Sequence, residues 1–152
     1  MEPDPAITSI AHAIQLAIAP VFLLTGIGSL LSVMTSRLAR VIDRARALER
    51  AWSDLGAEQQ TDVREELATL SHRAIVASWS INLGAFAALL ICALIATLFV
   101  EAIAGINLRW LVGAMFIAAM VALSTGLLCF LREVHVAIHT LRIGPPARRP
   151  AA

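Results

Sequence analysis

Residues 74–100 read AIVASWSINLGAFAALLICALIATLFV, 27 positions without one charged side chain. As a helix this stretch reaches about 40 Å, against a bilayer hydrocarbon core of about 30 Å. Two similar runs flank it, Ala13 to Ser36 (24 residues) and Trp110 to Leu131 (22 residues), reaching about 36 and 33 Å as helices. Backbone N–H and C=O groups in lipid must be satisfied within the segment, so all three runs are read as helix. The expected fold class is all-α, an integral membrane protein with three transmembrane helices. Composition agrees: 59% of the 152 residues are hydrophobic and 15% charged, where a soluble domain carries about 25%. The twelve basic residues are all Arg and the net charge is +1, so no basic excess calls for nucleic acid.

Arginine orients the spans. Ser36 to Arg73 holds seven, the chain after Leu131 holds four, and the short connection Glu101 to Arg109 holds one. The positive-inside rule therefore places the long loop and the C-terminus in the cytoplasm and the N-terminus outside. Met1 to His12 has no Lys or Arg, so the first span is read as a retained helix, not a cleaved signal. The expected organisation is an outer segment 1–12, spans 13–36, 74–100 and 110–131, a cytoplasmic helical hairpin 37–73, an outer turn 101–109, a cytoplasmic helix end 132–143 and a disordered tail 144–152. Cys92 and Cys129 differ in depth by about 16 Å, too far for a disulfide, and are read as small buried residues.

The hairpin rests on periodicity. Leu38, Val41, Ile42, Ala45, Leu48, Trp52 and Leu55 recur at helical spacing, as do Val63, Leu67, Leu70, Ala74 and Ala77. The first helix is expected to run to about Leu55, with Gly56 as its C-cap, and the second to begin at Thr61 as N-cap. Arg37 to Arg50 is basic and Ala51 to Arg73 acidic, so antiparallel arms would set Arg50 near Glu65 and Asp43 near His72 or Arg73. With helix three continuing towards Gly144, a three-helix stalk 20 to 25 Å tall is expected, from about 1.5 Å per residue. The alternative lays Arg37 to Leu55 flat on the inner leaflet as an amphipathic helix.

Within the membrane, Thr25, Gly26, Gly28, Ser29 and Ser32 form a small-residue face suited to close helix packing. Depth counting sets Ser29, Asn82 and the pair Ser124 and Thr125 in one polar layer. Pro20 should kink the first helix or begin it, leaving residues 4–19 as a surface helix with Pro5 at its first position. His72, His135 and His139 gather at the cytoplasmic base as weak candidates for a metal or haem. No Asp, Glu, Lys, Arg or His lies inside a span, which removes the groups of proton relays and intramembrane hydrolases. No enzyme and no cofactor is expected.

Residues 14–27, IQLAIAPVFLLTGI, followed by RLARVIDRAR at 37–46 and more loosely by FLREV at 130–134, resemble the bacterial membrane family filed as domain of unknown function 2721. The resemblance spans residues 7 to 142 and implies a small three-span membrane protein, with no established activity or site residues. Two functional readings follow from the residues. In the first, the chain self-associates or docks a cytoplasmic protein, using Gly28 and its neighbours in the bilayer and Arg37, Arg40, Asp43, Arg44, Leu48 and Trp52 on the stalk. In the second, a homo-oligomer forms an anion channel lined by Gln15, Thr25, Ser29 and Ser32, with arginine rings below.

Overall fold

The computed structural model describes residues 5–54 and 56–139, with side chains described for 9–53, 56, 59–60 and 61–135. The expected tail 144–152, Leu55, Leu141 and the side chain of His139 lie outside the described residues. The described chain is all-helical: α1 (Pro5–Ala51), a single 3-10 turn (Trp52–Asp54), α2 (Ala57–Ala104) and α3 (Arg109–His139). Each helix contains a segment long and apolar enough to cross a membrane. The outer surface is correspondingly apolar, with Leu89 67% and Trp110 79% exposed. Such continuous apolar surface is costly in water and suits hydrocarbon.

α2 is the central helix, packed along its length against both α1 and α3. Its buried positions are Leu70, Ala77, Ser80, Gly84, Ala87, Ile91, Leu94 and Leu98, and from Ala77 onward they recur every three or four residues. This is the spacing of a helix lying at a shallow angle to its neighbours. Ile27, Ile91 and Ala119 join the three helices at mid-height, and nearer the α2–α3 turn Ala17 of α1 meets Leu94 and Leu98 of α2, with Val112 and Met115 of α3 packed against them. Between them and the arginine-rich end the packing tightens onto glycine. A Cβ at Gly126 would sit 3.1 Å from both Leu83 Cβ and the Ser80 carbonyl oxygen, and one at Gly84 would meet Leu31 Cδ2 at 2.8 Å.

Several expectations need correction. Pro20 neither begins α1 nor splits off a surface helix; it is buried inside one continuous helix from Pro5, since a bundle can hold a helix that lacks one internal hydrogen bond. Gly56 is the N-cap of α2 in extended conformation, not the C-cap of α1, and α2 starts four residues before Thr61. Gln59 secures that start by accepting the Gly56 N–H through Oε1 at 3.3 Å. At the far end of α2, Gly105 takes the left-handed φ of 67° and donates to the Glu101 carbonyl at 3.0 Å, the geometry for which glycine is favoured. Asn107 then starts α3 by accepting the Arg109 N–H.

Candidate functional site

Below the apolar zone three helices bring charge together. α1 carries Arg37 and Arg40 one turn apart, α2 carries Arg73, and α3 carries Phe130 and Glu133 one turn apart. With Ala77 these side chains line a cleft of about 270 Å³. Arg73 donates to Glu133 Oε1 twice, from Nε at 3.0 Å and Nη2 at 2.9 Å. The Glu133 side chain is 7% exposed and that of Arg73 28%, so this is a partly desolvated pair joining α2 to α3. Arg37 lies over the Phe130 ring, 5.6 Å from its centroid, a contact that consumes none of its N–H donors. Arg40 is exposed and has no ion-pair partner among the described residues. With Glu133 balanced by Arg73, the cleft keeps the two positive charges of α1.

Beyond the cleft, α1 runs on against α2 as an antiparallel pair, without folding away flat. Its register differs from the sequence reading. Arg44 pairs with Glu66 at 2.9 Å, whereas pairing Arg50 with Glu65 would have set Arg44 near Ser71. The early start of α2 moves the turn and slides the arms by about one helical turn and a half. Arg73 accordingly meets Glu133 and not Asp43, which is exposed, and Arg50 donates to its own helix at the Arg46 carbonyl. Leu48 and Trp52 are half-buried, and Arg64 lies 5.9 Å from the Trp52 ring centroid. α3 runs to His139, the last of the described residues.

The polar layer does not assemble inside the bundle. Ser29, Asn82, Ser124 and Thr125 are all exposed on its outside, because the inward faces of the helices belong to the glycines, alanines and leucines already named. Ser29 and Thr25 donate to the carbonyls of Thr25 and Val21 on their own helix, and Thr125 to that of Val121. Gln15 and Ser32 are also exposed, and a Cβ on Gly26 or Gly28 would meet nothing within 4 Å. The small face of α1 is thus open and contributes nothing to closing this chain; that role belongs to Gly84, Ser80 and Gly126. The Asn82 amide forms no hydrogen bond among the described residues, and neither do the Gln15 amide or the hydroxyls of Ser32 and Ser124.

His72 and His135 are exposed, and the described residues hold no group of three metal-ligating side chains. Both cysteines are free thiols; Cys92 faces outward, against the expectation of burial, since its position falls on the outer side of α2. A wider cleft of about 640 Å³ opens at the opposite end, lined by His12, Leu16, Glu101 and Arg109 among others. The residues that sequence reasoning missed are Glu133, Phe130 and the glycine pair. A lone acid among the four arginines that follow the third span was the available signal for Glu133.

Comparison with known proteins finds no match among curated proteins and none among solved structures. A family model described as "Protein of unknown function (DUF2721)" matches residues 17–143. That range takes in α2, α3, α1 from Ala17 onward, the arginine cleft and Asn82, and the chain belongs to this family.

Proposed function

We propose that this chain is a non-enzymatic multi-pass protein of the bacterial inner membrane that associates with copies of itself inside the bilayer, its arginine-rich end and C-terminus in the cytoplasm. The observation that carries this reading is Asn82. Eight residues from Ala74, it lies about 12 Å inside the span, on the outer side of the central helix and without a hydrogen-bond partner. Lipid offers an amide nothing. A second copy inserted in the same orientation offers the same amide at the same depth, and an amide is complementary to itself because it both donates and accepts. Ile75, Trp79, Phe86 and Leu89 flank Asn82 on the same exposed stripe and supply packing around the pair.

The non-enzymatic reading rests on the sequence, whose spans carry no Asp, Glu, Lys, Arg or His. The open face of α1 with Gly26, Gly28, Ser29 and Ser32 is available to extend such an assembly, and the arms around Trp52 to receive a cytoplasmic protein. The test is the mass of the protein in detergent-free native particles together with that of Asn82→Leu. A dimer that weakens three- to thirtyfold on this substitution is the expected result. Leucine is at ease in lipid, so the variant still folds. A wild-type monomer refutes the reading, and a closed ring of four or more subunits replaces it with a pore lined by α1.

A further inference from the structure

The arginine cleft has features that an anchoring role does not require. Arginines at the end of a membrane span ordinarily spread outward into the headgroup layer. Here Arg37, Arg40 and Arg73, from two helices, line one concave site with Phe130 and Glu133 of a third. Glu133 occupies Arg73 with two hydrogen bonds to one carboxylate oxygen, which fixes a wall of the cleft and leaves the other two guanidinium groups unmatched. Arg37 is held over Phe130 without spending a donor. Two planar donor forks, one turn apart on the same helix beside an apolar floor of Ala77 and Phe130, are suited to a tetrahedral oxyanion. Leu131, next to Phe130 in sequence, is 60% exposed, apolar surface of the kind that the acyl chains of a lipid require.

We propose that this cleft binds a phosphate group through Arg37 and Arg40, presented either by an anionic phospholipid headgroup or by free phosphate. The site lies where the apolar spans give way to charge, the depth of lipid phosphates. Arg73 acts as a positioning residue: it is neutralised by Glu133 and keeps α2 and α3 at the spacing that forms the cleft. The proposal uses side chains of a single chain and does not depend on self-association.

The test uses the full chain in detergent micelles containing phosphatidylglycerol and phosphatidylcholine, with retained lipid counted by native mass spectrometry. The wild type is expected to retain phosphatidylglycerol preferentially. Arg37→Gln with Arg40→Gln should weaken that retention at least tenfold, while Arg46→Gln with Arg50→Gln, the same charge removed from the same helix beyond the cleft, should leave it within twofold. Arg37→Lys with Arg40→Lys keeps the charge and loses the forks, and should fall between. All variants are accepted only with unchanged helical circular dichroism. Inorganic phosphate, added at millimolar concentration, separates the sources: displacement of the retained lipid identifies free phosphate as a ligand, and no displacement identifies the headgroup. Equal losses in the two double glutamine variants would overturn the proposal, since a diffuse basic surface would then explain the binding. So would the absence of preference for phosphatidylglycerol combined with no binding of phosphate.

Discussion

The pair Arg73–Glu133 makes an asymmetric prediction. Removing one partner of a buried ion pair costs about 3 to 5 kcal/mol, because it strands the other charge. The two strandings differ here. In Glu133→Gln the abandoned charge is Arg73, already 28% exposed on a long stem that can turn towards water; the cost should fall to about 1 to 2 kcal/mol. In Arg73→Gln the abandoned charge is the Glu133 carboxylate, only 7% exposed. Arg37 and Arg40 line the same cleft and offset part of the loss, which sets the expected cost at about 3 to 4 kcal/mol. Arg73→Gln with Glu133→Gln strands nothing and restores an amide pair, so it should cost about 1 to 2 kcal/mol, less than Arg73→Gln alone. Unfolding by sodium dodecyl sulfate from dodecyl maltoside micelles, followed by circular dichroism, measures all three variants. Equal costs for the two single variants, or single costs that simply add in the double variant, would refute the account of this pair.

The glycines separate by neighbour: in the same assay Gly126→Ala should destabilise by about 1 to 3 kcal/mol, because its methyl meets backbone and Leu83 Cβ at 3.1 Å. Gly28→Ala, with open space around it, should be neutral or stabilise by up to about 1 kcal/mol. Gly105→Ala forces a side chain into the left-handed region at φ 67° and should cost about 1 to 2 kcal/mol. Arg44→Gln removes a pair whose side chains are 58% and 42% exposed, and its effect should stay below about 1 kcal/mol at moderate salt.

Length and hydropathy made the three spans legible, because a run of more than 20 uncharged residues has few other structures open to it. The continuation of α1 beyond Ser36 was legible too, from the spacing of Leu38, Val41, Ala45 and Leu48. The register of the hairpin was not: it depends on where one turn is placed, and Gly56 suits the end of one helix as well as the start of the next. Nor was the inner face of the bundle. Gly28 and Ser32 carry the small-residue spacing on α1, yet the close approach is made by Gly84 and Gly126, whose small partners at four-residue spacing, Ser80 and Ala122, form pairs of the same kind as Gly28 and Ser32, so that spacing alone does not tell the inner face from the outer. The cleft was half legible. Arg37 and Arg40 stood out by position, whereas Glu133 and Phe130 gained meaning only when α3 was set beside Arg73, 60 residues earlier in sequence.

The polar groups within the apolar helices differ in reach, and reach decides which of them call for a partner. Thr25, Ser29, Thr35, Ser36, Ser78, Ser80, Thr97 and Thr125 each donate to the carbonyl four residues earlier. A hydroxyl so satisfied can face lipid or a neighbouring helix at little cost, and its position says nothing of what packs on it. This is why Thr25, Ser29, Thr35 and Ser36 of α1 sit on an open face without implying a water-filled lining. The Asn82 amide brings two donors and a carbonyl and has no such internal solution. Polar contacts between membrane helices contribute about 0.6 kcal/mol on average and up to about 2 kcal/mol in model peptides, equivalent to factors of about three to thirty in an association constant. An amide pair of that strength specifies depth and rotation more than it supplies affinity. Association through α2 is therefore expected to be reversible, with Trp79, Phe86 and Leu89 supplying most of the contact and Asn82 deciding which faces meet.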